Sequence, residues 1–194
     1  MIGEVTDDGQ TPLDPDEAAG LIPPWIATRG DLNVAEEENI REGQAWMRRI
    51  VGHRDVLTQD FLRELHKRMF GKVWRWAGTY RMSEKNIGVA PGAIATELKH
   101  LFDDARAWDE HDTYPLDERA ARLHHRLTWI HPFANGNGRC ARVFTDAYLT
   151  KNGAAEFTWG AHWPASEQRP RYIAAIRAAD ARDYAPLLGF LRAR

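Results

Sequence analysis

The stretch His131-Pro-Phe-Ala-Asn-Gly-Asn-Gly-Arg-Cys-Ala-Arg142 decides how the rest of the chain is read. It brings together a histidine, a turn with glycines on both sides of Asn137, and two arginines. Glycine allows backbone conformations that a side chain forbids. Successive N–H groups of such a turn can point into one concavity and hold an anion. The run that follows, Cys140 to Thr150, has helical apolar spacing. The turn is therefore expected at a helix N-terminus, where free N–H groups and a partial positive charge suit phosphate. Arg139 and Arg142 lie three apart and share a helix face. Arginine has the fork geometry for two-point phosphate contact. His131 is the base candidate, because a neutral imidazole suits that task near pH 7.

Working outward, Leu116, Ala120, Leu123, Leu127 and Ile130 step by four, three, four and three, which predicts an amphipathic helix. It ends at His131, since Pro132 disfavours helix for the residue before it. Asn33 reads as the N-cap of a helix over about 34–50, with Glu36 in a capping-box position. Thr58 caps a helix over about 59–70, with Leu57 and Leu62 as a hydrophobic staple and Gly71 as its stop. His66 on this helix reads as a structural histidine. Pro91-Gly92 opens a helix to about Asp109. A further helix is expected over about 165–179, and Asp183 caps a last one carrying Leu187, Leu188 and Leu191. Between them, Trp74, Trp76 and Tyr80 alternate, and the polar run Arg81 to Val89 reads as a loop or small hairpin. The fold class is all-α, without repeats. Residues 1–32 read as an extended arm, and residues 33–194 as the helical domain.

The chain has 194 residues and a net charge of -2, which gives no bulk electrostatic case for nucleic acid. One cysteine excludes an internal disulfide framework. No run of apolar residues is long enough to span a membrane and no signal-peptide pattern is present, so a soluble, cytoplasmic protein without membrane contact is expected. The eight tryptophans read as core filling.

The central stretch resembles the core pattern of the Fic (Fic/Doc) family, His-x-Phe-x-Asp/Glu-Gly-Asn-Gly-Arg-x-x-Arg. Every fixed position matches except Asn135, which stands where the acidic residue is expected. With Thr11-Pro-Leu-Asp-Pro-Asp-Glu-Ala18 and Thr28-Arg-Gly-Asp-Leu-Asn33, the sequence resembles the subfamily called mobile mystery protein B, which also carries asparagine there.

The resemblance implies a Fic-type helical bundle with a short β-hairpin flap. It implies transfer of AMP from ATP to a Ser, Thr or Tyr hydroxyl of a target protein, with Mg²⁺. In this reading His131 is the base. Gly136, Asn137 and Gly138 offer backbone N–H groups to the α- and β-phosphates, and Arg139 and Arg142 hold the outer ones. Asn135 falls at the metal position, where a neutral amide oxygen is a poorer ligand than carboxylate, so Mg²⁺ is expected to bind weakly. The flap falls on Met82, Ser83, Glu84, Lys85, Asn86, Ile87, Gly88 and Val89, and would pair with the target by strand addition. Some relatives carry an inhibitory helix; here Val34 to Asn39 fits its Glu-Asn end and nominates Glu38, paired with Arg142. Alternatives of the same fold are a terminal-phosphate transferase, an AMP-removing hydrolase, and a non-catalytic nucleotide-binding module. The intact Gly-Asn-Gly-Arg favours AMP transfer. An antitoxin-like or helix-turn-helix partner and a homodimer complete the expectations.

Overall fold

A computed structural model of the chain describes residues 18–193. Among these, the α-helices are α1 (Arg29–Ile50), α2 (Gln59–Phe70), α3 (Ile94–Glu110), α4 (Leu116–Ile130), α5 (Asn137–Lys151), α6 (Ala165–Asp180) and α7 (Ala185–Arg192). Single 3-10 turns, Val51–His53 and Pro91–Ala93, follow α1 and precede α3. The 11–17 part of the subfamily likeness, and most of the expected arm, lie outside the described residues.

The bundle is organised around α5. From Cys140 to Leu149 every residue except Arg142 is buried, which marks a helix covered on all sides. Phe144 packs edge-on to Phe61 of α2, with ring centroids 5.9 Å apart, and stacks on Phe102 of α3 at 5.5 Å. Helix α4 matches its predicted span, and Ala120, Leu123, Leu127 and Ile130 are all buried. Helix α2 also matches: Thr58 Oγ1 accepts the Phe61 N–H at 3.1 Å, and Leu57 and Leu62 are both buried.

Helix α1 starts earlier than Asn33 predicts. Thr28 is the N-cap, because it closes a full capping box: Thr28 Oγ1 accepts the Asp31 N–H at 3.1 Å, and Asp31 Oδ2 accepts the Thr28 N–H at 2.9 Å. Residues 29–32 are therefore helical rather than extended. The buried stripe of α1 is Leu32, Ala35, Glu36, Asn39, Gly43, Trp46 and Met47. Gly43 lies so close to α2 that a Cβ there would sit 2.9 Å from the Met69 backbone. Just upstream, the Ile22 N–H bonds the Val73 carbonyl at 2.8 Å and the Arg75 N–H bonds the Gly20 carbonyl at 2.9 Å.

The hairpin expected at the flap is an irregular loop. β-type pairing among the described residues consists of two isolated antiparallel bridges, Leu21 with Trp74 and Tyr80 with Phe133. The second brings the start of the flap segment against the motif. No helix among the described residues is long and apolar enough to cross a membrane.

Candidate active site

Helix α4 ends on His131, which takes a left-handed backbone conformation, φ 53° and ψ 59°. This is uncommon for a residue with a Cβ and is concentrated at sites where the surroundings impose it. The imidazole Nδ1 lies 3.2 Å from the Thr128 carbonyl. A carbonyl only accepts, so Nδ1 carries the proton and Nε2 keeps its lone pair. Burial, with the nearby cations Arg81 and Lys85, holds the His131 pKa below its usual value, against the opposing Thr128 hydrogen bond. His131 is therefore neutral at pH 7 with Nε2 ready to accept a proton.

The turn after it is braced from inside. Asn137 Oδ1 accepts the Phe133 N–H, and Asn137 Nδ2 donates to the Phe133 carbonyl, both at 2.8 Å. Phe133 stacks on His66, with ring centroids 3.7 Å apart. His66 is a two-sided clamp. Its Nδ1 accepts the Gly78 N–H at 3.0 Å, so Nε2 carries the proton and donates to the Asn135 carbonyl, also at 3.0 Å. Full burial pushes the His66 pKa down to about 3, which keeps this tautomer neutral. Gly136 has φ 75°, and a Cβ there would lie 2.6 Å from the Phe70 ring. Only glycine satisfies both the backbone angle and the gap.

Helix α5 begins at Asn137, three residues earlier than the apolar spacing indicated. The first bond closing it runs from the Cys140 N–H to the Gly136 carbonyl at 2.9 Å. The amides of Asn137, Gly138 and Arg139 thus form the opening turn, where an α-helix provides no acceptor of its own. The Gly136 amide differs: it donates to Asn135 Oδ1 at 2.6 Å. In this state the local side chain occupies the amide that the resemblance offers to phosphate.

The acidic residue that meets a motif arginine is Glu36 rather than Glu38. Arg139 Nη1 donates to Glu36 Oε2 at 2.6 Å, and Arg139 Nη2 lies 3.4 Å from Asn135 Oδ1. The other Glu36 oxygen accepts the Trp74 indole N–H at 2.7 Å. Glu38 is two residues on, about 200° around the helix, and is exposed. Arg142 turns the other way, with its guanidinium carbon 4.8 Å from the Tyr172 ring centre and 5.6 Å from that of Trp159. The expected pair Glu38–Arg142 is therefore not formed.

Asn135 supplies an amide oxygen that already faces the Gly136 N–H and Arg139. Among the described residues no group of three or more His, Cys, Asp or Glu side chains is placed to hold a metal. This donor set does not fit a resident Mg²⁺, which favours carboxylate and phosphate oxygens.

The flap candidates Met82, Ser83, Glu84, Asn86, Ile87 and Gly88 are exposed, with Lys85 and Val89 half-buried. Met82 is 89% exposed. Sequence reasoning missed the residue beneath them. Arg81 is buried, and its Nε donates to the His131 carbonyl at 2.7 Å. It also missed the choice of Glu36 among three adjacent glutamates, whereas His66 is the structural histidine that the sequence indicated. The signal for Glu36 was present in the spacing of Leu32, Asn39, Gly43 and Trp46.

Among the described residues the chain is a helical bundle with a glycine turn at the head of its buried helix and a neutral histidine at the preceding helix end. Residues 56–149 match the model of the Fic/DOC family. The chain is 28% identical over 145 residues to protein adenylyltransferase fic-1 of Caenorhabditis elegans, covering 71% of this chain and 27% of that protein. The chain thus spans about a quarter of that relative's length. The solved structure of C. elegans Fic-1, residues 134–508, aligns with a TM-score of 0.65 at 25% identity, covering 89% of this chain and 51% of that one. The BepC protein of Bartonella tribocorum, solved with bound AMPPNP, aligns with a TM-score of 0.64 at 18% identity, covering 92% and 96%.

Proposed function

We propose that this chain transfers AMP from ATP to a Ser, Thr or Tyr hydroxyl of a target protein. The observation that carries the reading is the neutral His131, with Nδ1 tied to the Thr128 carbonyl, directly preceding the turn that opens α5. The hydroxyl oxygen attacks the α-phosphorus of ATP, and its proton passes to His131 Nε2. A P–O bond to the target forms, the bond between the α-phosphorus and its bridging oxygen breaks, and pyrophosphate leaves. General-base help contributes roughly 10²–10⁴-fold; alignment and charge stabilisation by the α5 amides and the arginines supply the rest. The adenylyltransferase relatives, and the nucleotide analogue held by BepC, support ATP as the donor. Mg²⁺ arriving with ATP would take most of its ligands from the phosphates, with the Asn135 amide oxygen as at most a weak one.

In the present state Arg139 is engaged by Glu36, so a nucleotide must compete for that guanidinium. Glu36 thereby takes the restraining role that the resemblance had given to Glu38. The finer likeness to mobile mystery protein B, read from Asn135 and from Thr28 to Asn33, would bring with it a helix-turn-helix or antitoxin-like companion. The test is mass spectrometry of a lysate incubated with the protein and ATP. AMP on a Ser, Thr or Tyr of a recovered protein supports the reading; a lone phosphate there would replace it with terminal-phosphate transfer.

A further inference from the structure

Arg81 is 4% exposed and sits fifty residues before the base it touches. Each arm of its guanidinium meets a different main-chain carbonyl. Nε donates to His131 at 2.7 Å, Nη1 to Ser83 at 2.8 Å, and Nη2 to Val89. The carbonyls of Ser83 and Val89 stand at the two ends of the exposed loop. The backbone repeats the attachment: the Arg81 N–H bonds the Pro132 carbonyl at 2.9 Å, and the Val89 N–H bonds the Ile130 carbonyl at 3.3 Å. Gly88, at φ 113°, closes the gap. A Cβ there would lie 2.6 Å from Arg81 Nη2, 2.7 Å from the His131 Cβ and 3.0 Å from the Ile130 carbonyl. Loop, guanidinium and base are thus packed in direct contact.

We infer that Arg81 is the positioning residue that fixes the 82–89 loop and the base in one frame, by holding both loop ends and the His131 carbonyl on a single guanidinium. The inference rests on the adenylyl-transfer reading, in which the loop aligns the target hydroxyl against His131. Lysine cannot replace the grip, because an ammonium lacks the planar fork that reaches three fixed acceptors. Arg81 also contributes, with Lys85, to keeping the imidazole neutral, so its charge and its shape act separately. Thr128, from α4, presents only its carbonyl to the ring. The turn at the head of α5 is braced by His66, Phe70 and Asn137, on bonds and packing distinct from those of Arg81.

The test compares wild type, Arg81→Gln and Arg81→Lys. The readouts are amide exchange, NMR titration of the His131 imidazole, AMPPNP affinity, and transfer from α-labelled ATP to lysate proteins. In both variants the Val89 amide exchanges faster, while α2 and α5 keep their protection and AMPPNP affinity stays near wild type. The His131 titration moves to higher pH in Arg81→Gln and stays near wild type in Arg81→Lys. Transfer falls by roughly 10²-fold in both, the cost of misplacing reacting groups by about 1 Å. Unchanged exchange at Val89 with an unchanged His131 titration overturns the inference. So does loss of protection through α2 and α5 in both variants, which would make Arg81 a residue of the fold alone. If wild type transfers nothing, adenylyl transfer fails as a reading, while exchange and titration still decide the role of Arg81.

Discussion

At the scale of single residues, the site depends on side chains whose partners leave them one role. Glu36 is the clearest case. It holds Arg139 through one oxygen and Trp74 through the other. Glu36→Gln keeps an acceptor for the indole and removes the charge that competes with phosphate. AMPPNP affinity by calorimetry is expected to rise by roughly fivefold or more, the lower end of coupling between linked sites. Unchanged affinity would mean that the ion pair does not restrain nucleotide entry. Gly136→Ala meets both a left-handed backbone and the Phe70 ring. The backbone strain alone costs about 1–2 kcal/mol, so denaturant melts should show at least that loss, together with weakened AMPPNP binding. The motif residues were legible because they lie in one short stretch and their chemistry is local. The partners of Glu36, Arg81 and His66 were not. The motif-side partners lie 103, 50 and 69 residues away, and only the packed bundle selects them.

At the scale of elements, helix α2 was readable because cap and apolar period agree, and α4 because its apolar period runs unbroken to the stop before Pro132. Helix α1 was misplaced at its start because two capping candidates compete, and tertiary contact decides between them. The Thr28 box wins, and the phase it sets buries Glu36 while leaving Glu38 in water. Thr28→Ala is expected to cost about 1 kcal/mol, read as a fall of about 2–4 °C in melting temperature for a chain of this size. Asn33→Ala should cost far less, since Asn33 is exposed within the helix. The reverse order of effects would return the cap to Asn33. The flap shows the opposite kind of miss. Its polar run gave no sign that one buried arginine, rather than a strand ladder, would gather its ends.

At the scale of the whole molecule, buried titratable groups set the acid limit. Burial pushes both His66 and His124 down to about 3. Above the unfolded value of about 6.5 both states are neutral and the full stability is present. As pH falls below it, the unfolded chain binds protons that the folded one refuses, and each histidine costs about 1.4 kcal/mol per pH unit down to its folded value. Asp146, pushed up to about 6 by burial, works in the other direction between that value and its ordinary value of 3.8. The net slope from these three groups between pH 6 and 4 is therefore about one histidine's worth, about 1.4 kcal/mol per unit. Urea melts across that range should show it, and His66→Gln should flatten it. An unaltered slope in that variant would mean that His66 is not held neutral.

The central claim is that His131 is the base for AMP transfer, and its most direct test is ATP labelled at either the α- or the γ-phosphate. Wild type, Glu36→Gln and His131→Ala would each be incubated with cell lysate. The expected result is α-label on protein in wild type, more of it with Glu36→Gln, and none with His131→Ala. Transfer of γ-label alone, or α-label that survives His131→Ala, would rule out His131 as the base for AMP transfer.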